Sequence, residues 1–373
     1  PSGNPLANKE RILSGVFRDT QGAQGSITFL ANTSPITLTG KSTNTGTVQF
    51  ASSPSQRVSL SGLGSFEDAE LIKLTNGNLD ISKSTSPTGI KFKALEASPG
   101  TRIQLGANAL STGSGNTDQT IAAVISGQGS FIKQGTGSLT LSAHNEYTGK
   151  TTIEAGDVVM DGGSLSQFSA VTVQPGARFA VTSGTTTNTG TFTVGGTGDR
   201  SHLEINGNLR VNGHLNLEPR SRVLFNWNDG TSGPRSRELH VGGTLNHNGE
   251  SIDSRGGDYL ITVNSLQGSG NILVDGETLT LTTRNDSPFD GKIGDFNPGQ
   301  QGGTLIKSGQ GTLSLSQSGG ITNLNNLQVK EGTLALLNGG NTVNTVTTIS
   351  SGAVLQLSKS SSSLSSTNVD VKA

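Results

Sequence analysis

The sequence predicts an all-β fold, a parallel β-helix whose first layer is covered by a short N-terminal amphipathic cap. The first observation behind this is a degenerate repeat punctuated by glycine. Residues 125–160, 266–293 and 302–337 can be laid over one another, each with a Gly-rich turn and then a Leu-x-Leu strand: Leu139/Leu141, Leu279/Leu281 and Leu313/Leu315. One such unit cannot bury its own apolar face, so repeated units stack into layers. The second observation is period-two alternation, which puts both apolar members of a pair on one face. The third is composition. Hydrophobic residues make up only 30%, and it takes the 53 glycines among 373 residues to bring the apolar share near the ~45–50%, glycine included, of a compact globule. A narrow solenoid buries one residue in two and tolerates that figure. Disorder is the competing explanation, but disordered chains lack β-branched residues and carry large net charge. This chain is full of Thr, Val and Ile, and its formal net charge is -1.

The N-terminal segment, residues 1–24, differs from the rest. Asn4 can cap a helix with Pro5 at its first position, and Leu6, Leu13, Val16 and Phe17 share roughly one face. It is expected to shield the end of the sheet stack. From Gly25 to about Ser358 short apolar pairs recur, among them Ile27/Phe29, Val58/Leu60, Leu79/Ile81, Ile103/Leu105, Val171/Val173, Leu215/Leu217, Ile261/Val263 and Leu355/Leu357. Gly, Asn, Asp, Ser and Thr between them supply turn geometry. A coil of ~3 strands and their turns takes roughly 20–25 residues, which predicts a rod of roughly fifteen rungs. An antiparallel β-sandwich shares the strand spacing and is the alternative. Four polar stretches, residues 106–118, 182–200, 226–238 and 284–303, are expected to leave the helix as loops. Residues 359–373 are expected to form a Ser-rich linker toward a translocator.

The chain has no cysteine, which fits export through an oxidising compartment in a slowly folding state. No apolar run approaches the ~20 residues of a bilayer-spanning helix, so no direct membrane insertion is expected. No secretory signal opens the sequence, and an exported precursor would therefore be one already trimmed.

Recognisable catalytic and cofactor motifs are missing. Gly149-Lys150-Thr151 and Gly40-Lys41-Ser42 look like the end of a phosphate loop, but His144 and Pro35 stand where its first glycine belongs. The five His are scattered with no zinc-type pair. Gly198-Asp199 does not replace a calcium-binding nonapeptide, and Gly230-Thr231-Ser232-Gly233 is read as a turn rather than a serine nucleophile. No cofactor, no metal and no nucleic-acid partner is expected, and the chain is read as not an enzyme.

Residues 127–160 and 303–336 resemble the passenger-associated repeats of bacterial autotransporter passenger domains, the pertactin-like β-helices. The first copy supplies Gly127, Gly129, Ile132-Lys133, Gly135, Gly137, Leu139, Leu141, Asn145, Tyr147, Gly149, Thr151, Ile153 and Gly156. The second supplies Gly303, Leu305, Lys307, Gly309, Gly311, Leu313 and Leu315, then departs at Ser318-Gly319-Gly320. The resemblance implies a right-handed coil, export across both membranes through a C-terminal barrel, and a cut passenger fragment at the bacterial surface or secreted.

On that footing the expected function is a non-enzymatic adhesin or host-receptor ligand, whose partner is a host cell-surface protein receptor or glycan. Self-association driving aggregation or biofilm is the second reading, and a β-helix polysaccharide-degrading enzyme the third. Arg220, Arg222, Arg235 and Arg237 cluster around Trp227 and form the candidate partner-binding patch, basic and partly aromatic. Ordinary solvated loop charge explains the same residues. Thr and Asn on outer strand faces supply hydrogen-bonding ladders through which two rods can zip, although an outer face must be polar in any case. Asn145 and Tyr147 are read as structural, and Lys133 and Lys307 as solvated rung residues.

Overall fold

Every strand pairing among the described residues of the computed structural model is parallel, including those that join sequence-distant coils. It describes residues 9–19, 24–165, 169–188, 190–226, 237–255, 257–296, 302–358 and 362–372. Parallel ladders throughout exclude the antiparallel sandwich, and no helix occurs among these residues. The protein is a parallel β-solenoid.

Two compact units divide the chain, Pro1–Thr172 with Ala177–Phe179, and Val173–Gly176 with Ala180–Ala373. In the first unit short strands stack in three columns, and from Asn78 to Asp161 each coil contributes one strand to each. One column runs Ile36–Leu38, Arg57–Leu60, Asn78–Asp80, Arg102–Gln104, Val124–Gly127 and Glu146–Tyr147. The second stacks Ile90–Phe92, Leu110–Thr112, Phe131–Lys133 and Thr151–Ile153, and the third includes Leu95–Ala97, Gln119–Ile121, Ser138–Leu141 and Asp157–Asp161. Alternation explains the interior. Leu79 pairs with Ile103 and Ile103 with Ile125, all fully buried, while Lys73, Arg102 and Glu146 stay outside. Near its N-terminal end Phe17, Phe29, Phe50 and Phe66 form one aromatic cluster, with ring centroids 5.2–6.2 Å apart.

The second unit repeats the plan with longer strands. Arg237–His247 pairs with Tyr259–Gln267 across a register shift between Val241 and Thr244. Tyr259–Gln267 is followed in its column by Thr278–Thr283, Thr304–Ser308, Leu324–Val329 and Asn341–Ile349. A four-strand column of Ser287–Phe289, Thr312–Leu315, Thr333–Leu336 and Val354–Leu357 stands beside it. Hydrogen-bonded partners on adjacent coils lie 20 residues apart at Gln134/Glu154 and 31 apart at Arg222/Asp253. The longer coil carries residues 227–236 and exceeds the expected 20–25.

The repeat alignment holds for two of its three copies. Lys133 and Lys307 precede equivalent turns and lie at matching positions of their coils. The copy at residues 266–293 is out of phase: Leu279 pairs with Leu305 and Leu281 with Lys307, whereas Ser287 and Phe289 stack on Leu313 and Leu315. Glycine turns and Leu-x-Leu strands occur at more than one corner of a coil, so a sequence alignment can slip by one side.

The structure also corrects the expected boundaries. Arg11–Leu13 is a strand paired with Ile36–Leu38 rather than part of a helix. Asn4, Pro5 and Leu6 lie outside the described residues. Leu13 and Val16 are exposed while Phe17 joins the aromatic cluster, so the expected single apolar face is divided. Three of the supposed loops contain ladder strands: Leu110–Thr112 within 106–118, Thr185–Asn188 and Phe192–Val194 within 182–200, and Ser287–Phe289 within 284–303. The supposed linker contains the strand Leu364–Val371, paired with Asn341–Ile349. Backbone pairing to the coil next door needs no apolar side chain on the outer face, so polar segments enter the ladder as readily as apolar ones.

Asn145 and Tyr147 are structural, as their position in the turn suggested. Asn145 accepts the Ile125 amide at 3.0 Å through Oδ1 and donates to the Ser164 carbonyl at 2.9 Å. Asn341 repeats this with Ile321 at 2.9 Å and Ser363 at 2.9 Å. The Tyr147 hydroxyl, fully buried, meets Thr151 Oγ1 at 2.6 Å.

Candidate functional site

The arginines expected to form one patch are placed in different surroundings. Trp227 and Arg235 lie outside the described residues, as does the turn at 230–233. Arg220 is exposed, with a positive φ of 62°. Arg222 sets Nε 3.1 Å from Asp253 Oδ2, and its Nη2 reaches the same oxygen. Asp253 is buried, so this pair ties two coils together. Arg237 is itself buried and its Nε donates to the Asn206 carbonyl at 3.0 Å. The described arginines therefore make no continuous basic patch.

Lys133 and Lys307 correct the expectation of solvated side chains, because both are fully buried. The Lys133 Nζ donates to the carbonyls of Gln134 at 2.7 Å, Gly135 at 2.8 Å and Ala155 at 3.2 Å. The Lys307 Nζ does the same to Ser308 at 2.9 Å, Gly309 at 2.8 Å and Glu331 at 3.0 Å. A buried ammonium is tolerated only when its three protons are satisfied, and each cage supplies three oxygens. Burial draws Lys307 down to about 8 and lowers Lys133 as well. Glycine permits these corners. Gly135 and Gly309 have φ of 66° and 78°, and a Cβ on Gly156 would lie 2.6 Å from the Gly135 carbonyl.

An uncharged polar depression of about 360 Å³ opens on the outer face of the second unit. Thr191, His214, Asn216, Thr244, Asn246 and Gln267 line it. Strand alternation aims these side chains outward, as with Asn216 between buried Leu215 and Leu217. Register puts Thr193, Asn216, Asn246 and Gln267 in one column. Asn246 Nδ2 donates to Asn216 Oδ1 at 2.8 Å, and the Thr244 amide donates to His214 Nδ1 at 3.0 Å. The sequence hid this column because Asn216 and Asn246 are 30 residues apart, further than the expected repeat. The outward Asn that follows Leu215 and Leu245 was the available signal. A second depression, about 430 Å³ in the first unit, is lined by Ala97, Pro99 and Ala122 beside the Lys73–Glu96 ion pair, 3.4 Å apart.

Carboxylates do gather in the second unit, but around the interior. Asp253, Asp275 and Asp295 flank buried Tyr259, whose hydroxyl burial raises well above its ordinary value, with those charges adding to the effect. Asp295 Oδ2 accepts the Gly303 amide at 2.8 Å. Among the described residues no three His, Asp or Glu are placed to hold a metal ion.

His247 is the buried titratable group with the clearest consequence. Its Nε2 meets the Asn271 carbonyl at 2.9 Å, its Nδ1 has no partner, and its ring stacks on Phe289. Burial depresses it from 6.5 to about 4. The folded state keeps the imidazole neutral while the unfolded chain protonates it. The contribution is therefore complete above pH 6.5 and is lost as pH falls toward 4, by about 3 kcal/mol. Urea titrations of wild type and His247→Gln across pH 4–7 check this: wild type should lose stability on acidification and the variant should show a flatter pH dependence.

Comparisons with known proteins follow the geometry. Residues 131–160 match the passenger-associated-transport repeat, the segment holding the Lys133 cage, Asn145 and Tyr147. A stretch of 94 residues, 25% of this chain, is 32% identical to the adhesin BmaC autotransporter of Brucella suis biovar 1 (strain 1330) and covers 2% of that protein. The chain thus spans a small part of this relative's length. No solved structure matches. The matched repeat, the autotransporter relative and the parallel solenoid together support an autotransporter passenger β-helix domain.

Proposed function

We propose that this passenger domain is a non-enzymatic adhesin, displayed on or released from the bacterial surface, that binds a protein or glycan on host cells. The observation that carries the reading is the shared sequence with an adhesin autotransporter. The solenoid supports it by exposing long ladders of polar side chains, which present recognition surfaces without a catalytic cleft. The matched repeat supports display on the surface or secretion across the outer membrane.

The test is binding of the purified domain to cultured epithelial cells, with sedimentation of the same sample. Saturable, protease-sensitive binding by a monomer is the expected result. Concentration-dependent clumping without saturable binding would replace this reading with self-association. Arg220→Glu with Arg235→Glu tests the basic loop within the same assay; Arg237 is left intact because its side chain is buried. Unchanged binding by that double variant removes the arginines from the recognition site.

A further inference from the structure

We propose that the polar depression of the second unit binds an uncharged oligosaccharide. The proposal rests on the adhesin reading and names the chemistry of its target. The lining is Thr191, His214, Asn216, Thr244, Asn246 and Gln267, with no Asp, Glu, Lys or Arg, no Phe, Tyr or Trp and no aliphatic side chain among them. An anionic partner needs cations there, and a lipid or apolar peptide needs exposed hydrocarbon. Neither is present. The volume of about 360 Å³ falls within the ~300–1,000 Å³ typical of small-ligand sites.

The hydrogen-bonding groups are already ordered. The Asn246 amide is spent on Asn216 Oδ1 at 2.8 Å, and Asn216 Nδ2 turns toward Thr193 Oγ1 at 3.5 Å. That polarity along the column leaves Asn246 Oδ1 as an acceptor, and the Gln267 amide without a protein partner among the described residues. His214 Nδ1 accepts the Thr244 amide at 3.0 Å, so the neutral ring carries its proton on Nε2 and presents a donor. The result is an array of donors and acceptors held at the Asn216–Asn246 and His214–Thr244 bonds, with threonine hydroxyls that serve as either. A sugar hydroxyl donates and accepts, and neighbouring hydroxyls on a ring match the two ends of a carboxamide. Coils rise ~4.8 Å apart, close to the length of one pyranose unit, so a short glycan lying along the column meets one coil per sugar. Because the amides hold one another, little side-chain entropy remains to be lost on binding.

The experiment uses immobilised lactose, chitotriose, maltotriose and mannotriose, with sialyllactose and heparin as charged comparators. Wild type is compared with Asn246→Ala/Gln267→Ala, two outward positions, with thermal unfolding of both proteins measured alongside so that binding is compared between folded samples. The expected result is saturable retention on at least one neutral glycan, insensitive to added salt and weakened about tenfold or more in the double variant. Retention only on sialyllactose or heparin overturns the proposal, as does equal retention by the variant or no retention at all. Self-association of wild type that the double variant abolishes, without glycan retention, overturns it too and makes a second copy the occupant. Cell binding is measured in parallel. Cells bound without any neutral glycan retained sink this inference alone, while glycan retained without cell binding sinks the adhesin reading instead.

Discussion

Lys307→Met should destabilise the second unit by about 3 kcal/mol or more. The substitution keeps the length of the side chain and removes its three donors, leaving the carbonyls of Ser308, Gly309 and Glu331 without the ammonium that satisfies them. Each buried acceptor stranded in this way costs about 1–3 kcal/mol. Removing a buried charge also relieves desolvation, which is why the lower end of the summed range is expected. Lys330→Met is the control, since Lys330 is exposed on the adjoining coil, next to Glu331. Hydrogen exchange is the decisive readout, because a stacked array opens locally rather than as a whole. Faster exchange should centre on the corner at Ser308–Gly309 and on the coil that carries Glu331. Lys133→Met should do the same around Gly135 and Ala155 in the first unit. A variant as protected as wild type would show that the cages contribute nothing.

Phe66→Ala should cost the first unit about 3–5 kcal/mol, the usual range for a large aromatic removed from a packed interior. Phe66 is fully buried and its ring lies 5.8–6.2 Å from those of Phe17, Phe29 and Phe50. Few neighbours can move into the space, since the surrounding strands are pinned by their ladders. Circular dichroism melting checks this: the variant should unfold at a clearly lower temperature. Loss confined to the first unit would show as faster exchange near Phe29 and Phe50 with the Leu313–Leu334 region unchanged.

The fold was legible because inward residues alternate strictly with outward ones. Pairs such as Leu139/Leu141 and Leu215/Leu217 identified strands, and turn glycines marked the corners. The lysines misled because a charged residue in a polar-looking repeat reads as solvated. Only the three-dimensional corner shows that carbonyls converge on Nζ. Segments such as Thr185–Asn188 misled in the opposite direction, since Thr186 and Asn188 are buried without being apolar. The candidate site was half legible. Outward Asn and Thr ladders were expected, but the column joining Asn216 to Asn246 spans a coil far longer than the repeat, and no local spacing announces it. The arginine cluster was drawn from nearness in sequence, which does not show that Arg222 is tied to Asp253 and Arg237 to the Asn206 carbonyl.

Each lysine cage also has a direction in time. Two of its oxygens come from the residues that follow the lysine directly, and the third comes from the coil on the C-terminal side, at Ala155 or Glu331. A chain that lays down its C-terminal coils first offers every arriving lysine a finished socket. One that starts from the other end must hold a partly stripped ammonium until another coil arrives. The side chain therefore acts as a pawl, engaging only when the next tooth is already cut, and it makes growth from one end easier than growth from the other.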